Sequence, residues 1–511
     1  MLLQGYLEES ARVRGDKVAL IQGSHRLTFA EIERRAGLLA GALARRGVRR
    51  GDRVAILGEQ RVETVIAVWA ALKAGAVFMV VSRDVKEDKL AYILRDSGAR
   101  ALCTSARLAG VVAAATAKAN ELAVIVAYGG DPPRLPGGFS DRWDEAIERV
   151  DGAPLRVGTI DQDLASIIYT SGSTGEPKGV MLTHANMLAA ATSITSYLGL
   201  REDDVILDAL PLAFDYGLYQ VLMAARVGAT VVLEDGFAFP SAVLENVERE
   251  GVTVFPGVPT MFAILLQMKE IEVEHNLGRV RVVTNTAAAL PSTHLASLRR
   301  IFPEAAIFSM YGLTECKRCT YLPPEDLARK PGSVGLAIPN TELWIEDPTG
   351  RRLGAGEVGE LVIRGATVMR GYWRKPDATA ARLRPGPIPG ERVLHTGDLC
   401  KLDDEGYLYF VARMDDVIKS RGEKVAPREV EDALYALTGV REAAVIGVPD
   451  PILGQAVKAF VVVDPALGYG EGEIIAHCRT RLEPFMVPKH VEICEALPRT
   501  DTGKIKKSGL C

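Results

Sequence analysis

One stretch of this chain concentrates phosphate-binding chemistry: Tyr169-Thr170-Ser171-Gly172-Ser173-Thr174-Gly175-Glu176-Pro177-Lys178-Gly179. Gly172, Gly175 and Gly179 free the backbone for tight turns, the hydroxyls of Ser171, Ser173 and Thr174 offer donors, and Lys178 adds charge. A loop of this kind at the end of the apolar run Leu164–Ile168 can wrap phosphate oxygens. It is not a Walker A loop, which needs Gly-Lys-Ser/Thr opening a helix. Here Pro177 precedes Lys178 and Gly179 follows it. Taken alone, such a run also reads as a flexible polar loop.

A second candidate is Cys316-Lys317-Arg318-Cys319, a CxxC spacing that invites a metal or redox reading. A structural zinc needs two more ligands. The sequence has no second CxxC and no histidine pair, and its seven histidines stand isolated at 25, 184, 275, 294, 395, 477 and 490. The metal reading is therefore set aside, and His184 is read as structural.

The elements that must hold such a loop follow from hydrophobic periodicity. Arg53–Leu57 reads as a buried strand, Val62, Val65, Ile66, Trp69 and Leu72 fall at helical spacing, and Val77–Val81 is apolar again. Strand, helix, strand builds a parallel sheet. The pattern recurs through Tyr92–Leu94 with Ala101–Thr104, at Ala123–Tyr128, and from Val205 to Leu266, including Val252–Gly257. After Gly332 the texture changes to hairpins: Glu342–Ile345, the turn Asp347–Gly350, then Glu360–Arg364. From about Arg413 it resets again, with a helix over Pro427–Leu437, strands at Ala443–Val448, Lys458–Val463 and Val491–Cys494, and a helix near Ile474–Leu482. The fold class read from this is α/β: a large N-terminal assembly of βαβ layered subdomains plus a barrel-like subdomain over 1–412, and a small mobile α+β C-terminal domain over 413–511.

Length and composition bound the function. At 511 residues the prior is roughly three globular units, and 48% hydrophobic with 25% charged residues is ordinary for a globular chain. Sixty-one Lys+Arg against 65 Asp+Glu leaves a net charge of -4, without the basic excess of a nucleic-acid binder. The seven cysteines lack framework spacing, which points to a reducing compartment. The first residues lack the apolar core of a secretory signal. Val65–Ser82 carries Lys73 and is too short to span a membrane. The expectation is a cytoplasmic protein with no membrane span.

The phosphate-type loop does not stand alone. Met310-Tyr311-Gly312-Leu313-Thr314-Glu315 follows it, then Gly359-Glu360-Leu361 and Gly371-Tyr372-Trp373. Thr396-Gly397-Asp398, Arg413-Met414-Asp415-Asp416 and Pro498-Arg499-Thr500-Asp501-Thr502-Gly503-Lys504 complete the set. In this order, across nearly the whole chain, the set resembles the adenylate-forming superfamily of acyl-CoA synthetases, adenylation domains of peptide synthetases, and luciferases. The resemblance implies activation of a carboxylic acid by MgATP to an acyl-adenylate, then transfer to a thiol. It implies that Thr170, Ser171, Gly172, Ser173, Thr174, Gly175 and Lys178 hold the β- and γ-phosphates. Thr314 then touches the α-phosphate, Glu315 helps place Mg²⁺, Tyr311 faces the adenine, and Asp398 with Arg413 holds the ribose. Lys504 is implied as the adenylation lysine, Asp415 as the hinge, and Gly422 as the close-approach point for the pantetheine arm.

The same resemblance places the acid against Phe214, Asp215, Tyr216, Tyr219, Pro256, Val283, Asn285, Met310, Arg318 and Cys319. Asp215, Asn285 and Arg318 are costly to bury unpaired. Two readings compete: Asp215 meets a substrate amine and Arg318 a second polar group, or Asp215 and Arg318 pair with each other. The internal pair is the favoured one. The segment Val425-Ala426-Pro427-Arg428-Glu429-Val430-Glu431 looks more like acyl-CoA synthetases than amino-acid adenylation domains. The sequence also ends seven residues after Lys504, so the thiol is expected on a separate molecule. The expectation is an AMP-forming acid–thiol ligase using ATP, Mg²⁺ and CoA. The alternative is a stand-alone amino-acid adenylation enzyme loading the phosphopantetheine of a free-standing carrier protein.

Overall fold

A computed structural model describes the chain except for residues 120–121, 149–154, 156, 171–175, 269–270, 287–291, 421–422, 451–452, 500–504 and 511. Two large sheets form the first four-fifths of the molecule. One runs Gly371–Tyr372, Lys178–Thr183, Leu164–Thr170, Val77–Ser82, Arg53–Gly58, Ala99–Ser105, Val124–Tyr128, Phe139–Arg142. From Leu164–Thr170 onward its neighbours are parallel, while Lys178–Thr183 runs antiparallel to the strands on both sides of it. The other sheet has a parallel centre of Ala306–Tyr311, Val282–Asn285, Val254–Gly257, Val205–Asp208, Thr230–Leu233 and Val18–Gln22. Antiparallel strands edge it on both sides.

The helices between the sheets are apolar for a reason. Val62–Lys73 is buried everywhere except Glu63 and Lys73, so the stretch that is long and apolar in sequence is a core helix followed by a core strand. Lys73 ends it by bridging Glu8 at 2.9 Å and Glu33 at 2.6 Å. Against it packs Phe29–Arg45, whose Ile32, Ala36, Leu39, Ala40 and Leu43 recur at the spacing of one helix face. Thr28 and Glu31 close a capping box at its start, satisfying two of the free N–H groups there. Among the described residues no helix is long and apolar enough to cross a membrane.

The expected hairpins form an antiparallel sheet of Thr341–Glu346, Gly359–Gly365, Arg392–Leu402, Leu383–Pro385 and Leu408–Arg413. The Asp347 carboxylate makes the first turn by accepting from the backbone N–H of Thr349 and of Arg351. Residues from Ile418 onward build a fourth sheet, with Val440–Asp450 and Gly454–Val463 as its long antiparallel pair. Pro427–Tyr435 and Glu471–Arg479 pack on it. Its apolar cores, Ile418 through Val491 and Ala444 with Phe460 and Leu497, are separate from the core that joins the two large sheets.

Candidate active site

The site is built where parallel strands end. Leu164–Thr170 runs out at Thr170, and Lys178–Thr183 returns antiparallel with Lys178 opposite Thr170. The Thr170 hydroxyl donates to the Lys178 carbonyl at 3.4 Å. Ser171, Gly172, Ser173, Thr174 and Gly175 lie outside the described residues. The Lys178 ammonium sits 5.5 Å from the centre of the Tyr372 ring. The Tyr372 hydroxyl donates to Glu315 Oε1 at 2.7 Å, and the Met369 N–H donates to the Glu315 carbonyl at 2.8 Å. Tyr372 therefore ties the outgoing strand of the phosphate-type loop to Glu315. It belongs to the Gly-Tyr-Trp motif, but sequence reasoning assigned it no role.

Four residues before Glu315, Tyr311 ends the strand Ala306–Tyr311. Its hydroxyl donates to Asp398 Oδ2, and its ring lies 6.1 Å from Phe410. Asp398 is 1% exposed, and Arg413, its register partner across the sheet, places Nε 3.0 Å from Oδ1. Burial pushes the Asp398 carboxyl up, and the Arg413 guanidinium and the Tyr311 hydroxyl oppose that rise. Gly397 precedes it at φ +71, and a Cβ there would fall against the Arg382 guanidinium. Thr314 lies partly buried between Tyr311 and Glu315.

The proposed acid pocket lies around the helix Asp215–Val227. Phe214 stands edge-on to Tyr216, 6.1 Å between ring centres. The Tyr216 hydroxyl bonds Thr284 on the neighbouring strand. Tyr219, Pro256, Val283, Asn285, Met310 and Cys319 are all buried. Met310 Sδ accepts from the Tyr197 hydroxyl at 3.0 Å.

Asp215 does not pair with Arg318. Its carboxylate, 7% exposed, takes the ammonium of Lys317 at 3.2 Å, and Lys317 is itself 3% exposed. Lys317 has φ +50, a left-handed backbone uncommon outside glycine, and its ammonium stacks 4.3 Å from the Tyr219 ring centre. That turn sends Lys317 toward Asp215, while Arg318 Nη1 donates to Thr286 Oγ1 at 2.6 Å. Cys316 and Cys319 are buried; the Cys316 thiol lies 3.2 Å from the Thr367 hydroxyl. His184 is buried too, its Nδ1 accepting from the Leu3 N–H at 3.2 Å, and burial holds the ring down to about 4. It is a neutral packing residue.

Toward the C-terminus, Asp415 lies in the short turn Met414–Asp416, between the strand ending at Arg413 and the one beginning at Ile418. Gly422 and Lys504 lie outside the described residues. Arg499 pairs with Ile505 in an isolated antiparallel bridge, and Lys506 N–H donates to the Pro498 carbonyl at 2.7 Å.

Residues 7–373 match the family described as AMP-binding enzyme, and residues 429–504 match the AMP-binding enzyme C-terminal domain. The chain belongs to the AMP-binding enzyme family. It is 37% identical over 499 residues, 97% of this chain and 96% of the relative, to a feruloyl-CoA synthase of Amycolatopsis sp. It is 32% identical to a long-chain-fatty-acid–CoA ligase of Bacillus subtilis (strain 168), over 99% of this chain and 94% of the other. Among solved structures, an anthranilate CoA ligase in complex with anthranoyl-AMP superposes with a TM-score of 0.90 at 30% identity, covering 100% of this chain and 96% of that one. The mixed α/β architecture, with its smaller C-terminal unit, is the fold of these neighbours.

Proposed function

We propose that this family member is an AMP-forming acid–thiol ligase that converts a carboxylic acid, ATP and CoA into acyl-CoA, AMP and pyrophosphate. One arrangement carries the reading. The segment Tyr311–Glu315 reaches a buried carboxylate, Asp398, at one end and the lysine of the phosphate-type loop, through Tyr372, at the other. A nucleotide laid along it has its ribose hydroxyls at Asp398 and Arg413 and its phosphates at Thr170, Ser171, Ser173, Thr174 and Lys178. Glu315 is a single carboxylate with one oxygen already held by Tyr372. That suits Mg²⁺, which takes most of its ligands from water and phosphate and supplies charge neutralisation there when bound.

Both reactants of the first step are anions, so cations must offset their repulsion. In this reading Lys178 and Lys504 do so while a carboxylate oxygen bonds to the α-phosphorus and pyrophosphate leaves. The domain carrying Lys504, from residue 413, then turns about Asp415. Gly422 opens the way for the thiol, which attacks the acyl carbon and displaces AMP. CoA is favoured as that thiol because Asp215, the group an amino-acid substrate would need, is held by Lys317. A cytoplasmic setting accords with the free cysteines.

The two halves separate by substitution. Lys504→Ala is expected to slow acid-dependent ATP–pyrophosphate exchange by on the order of 10²–10³-fold while ATP still binds. Gly422→Leu is expected to keep exchange and lose thioester formation. Normal exchange in the first variant, or equal loss of both steps in the second, contradicts this assignment of the two halves.

A further inference from the structure

Arg318 is a buried charge with no counterion among the described residues. It is 2% exposed, its guanidinium carbon stands 4.8 Å from the centre of the Tyr216 ring, and Nη1 is spent on the Thr286 hydroxyl. Nε is buried with no hydrogen-bond partner. The nearby carboxylates are engaged elsewhere: Asp215 with Lys317, Glu315 with Tyr372, and Asp398 with Tyr311 and Arg413. Asp208, whose field also reaches Tyr216, is fully buried, and burial pushes its carboxyl well above the usual range, toward the neutral form. Among the described residues no carboxylate reaches the Arg318 guanidinium.

A guanidinium taken out of water without an anion is destabilising, and an apolar residue of similar volume would be cheaper. The planar fork matches one ligand class well, a carboxylate accepting two parallel N–H bonds. Tyr216 faces it at 4.8 Å, and the field of Arg318 also falls on Tyr197 and Tyr219. An acid site bounded by these rings, with one fixed, unneutralised cation, selects an acid that is apolar in its middle and anionic at its far end.

We infer that the acid activated here carries a second carboxylate and that Arg318 is the residue that binds it. This rests on the ligase reading and on the acid lying beside Tyr216. The reacting carboxylate then faces the nucleotide and the distal one faces Arg318. Lys317 contributes by holding Asp215, a carboxylate that would otherwise compete for the guanidinium.

The test is acid-dependent ATP–pyrophosphate exchange by the full-length enzyme. The panel pairs aliphatic and aromatic diacids with their monomethyl esters and with monoacids of equal length, and adds amino acids. The expected result is a kcat/KM for the best diacid at least about 100-fold above that of its monoester. Arg318→Leu, checked for an unchanged Tm, should reverse the order of diacid and monoester, and Arg318→Lys should restore part of it. A monoester or monoacid used as well as the matching diacid by the wild-type enzyme overturns the inference and leaves the ligase reading intact. Exchange with amino acids alone overturns both the inference and the CoA-ligase reading. Exchange with none of the acids overturns the ligase reading and the inference with it. The wild-type comparison needs no variant to fold.

Discussion

Lys317 and Arg318 are neighbours in sequence with different surroundings. Lys317 has its anion, Asp215, at 3.2 Å, and holds it from a left-handed backbone position that costs on the order of 1–3 kcal/mol in a non-glycine residue. Removing one partner of a buried pair costs about 3–5 kcal/mol, because the other charge stays behind uncompensated. Lys317→Met is therefore expected to lower the unfolding free energy by about that amount, measured by denaturant titration, and Lys317→Met with Asp215→Leu should recover most of it. A Lys317→Met protein as stable as the parent would mean that Asp215 has another partner. The sequence placed Asp215 and Arg318 in one pocket but did not reveal the pairing. Lys317 and Arg318 are adjacent cations, and the left-handed backbone at Lys317 goes with its ammonium, not the Arg318 guanidinium, meeting Asp215.

The elements that build the site were legible in proportion to their periodicity. Val62–Lys73 and the strands around it follow from apolar spacing, and the Thr341–Gly365 hairpin from alternation and its Asp-Pro-Thr-Gly turn. Gly371–Tyr372, which carries the hydroxyl on Glu315, is too short to show any period, so its motif was visible and its role was not. The strand pair around Asp398 adds a device of its own. Gly397 takes φ +71 so that the chain can turn Asp398 inward beneath Tyr311, and the Arg382 guanidinium fills the space a side chain would need. Gly397→Ala carries a left-handed penalty of about 1–2 kcal/mol and displaces Arg382 as well. The expected outcome is a Tm lowered by that loss of stability, with a raised KM for ATP as Asp398 shifts. Unchanged values for both would show that the turn does not position Asp398.

For the whole molecule, the reading is of two bodies sharing one site. The large sheets share a core, and the residues after Ile418 have cores of their own. The boundary proposed at 413 puts Arg413, which pairs with Asp398, at the start of the C-terminal unit. A small body joined by a short turn can present different residues to one nucleotide in succession, which a ligase with two chemical steps requires. The most direct measurement is a product balance with MgATP, CoA and the preferred acid. The account predicts AMP, pyrophosphate and acyl-CoA in equal amounts, with acid-dependent ATP–pyrophosphate exchange persisting when CoA is left out. Formation of ADP and phosphate, or thioester formation without any exchange, would contradict it.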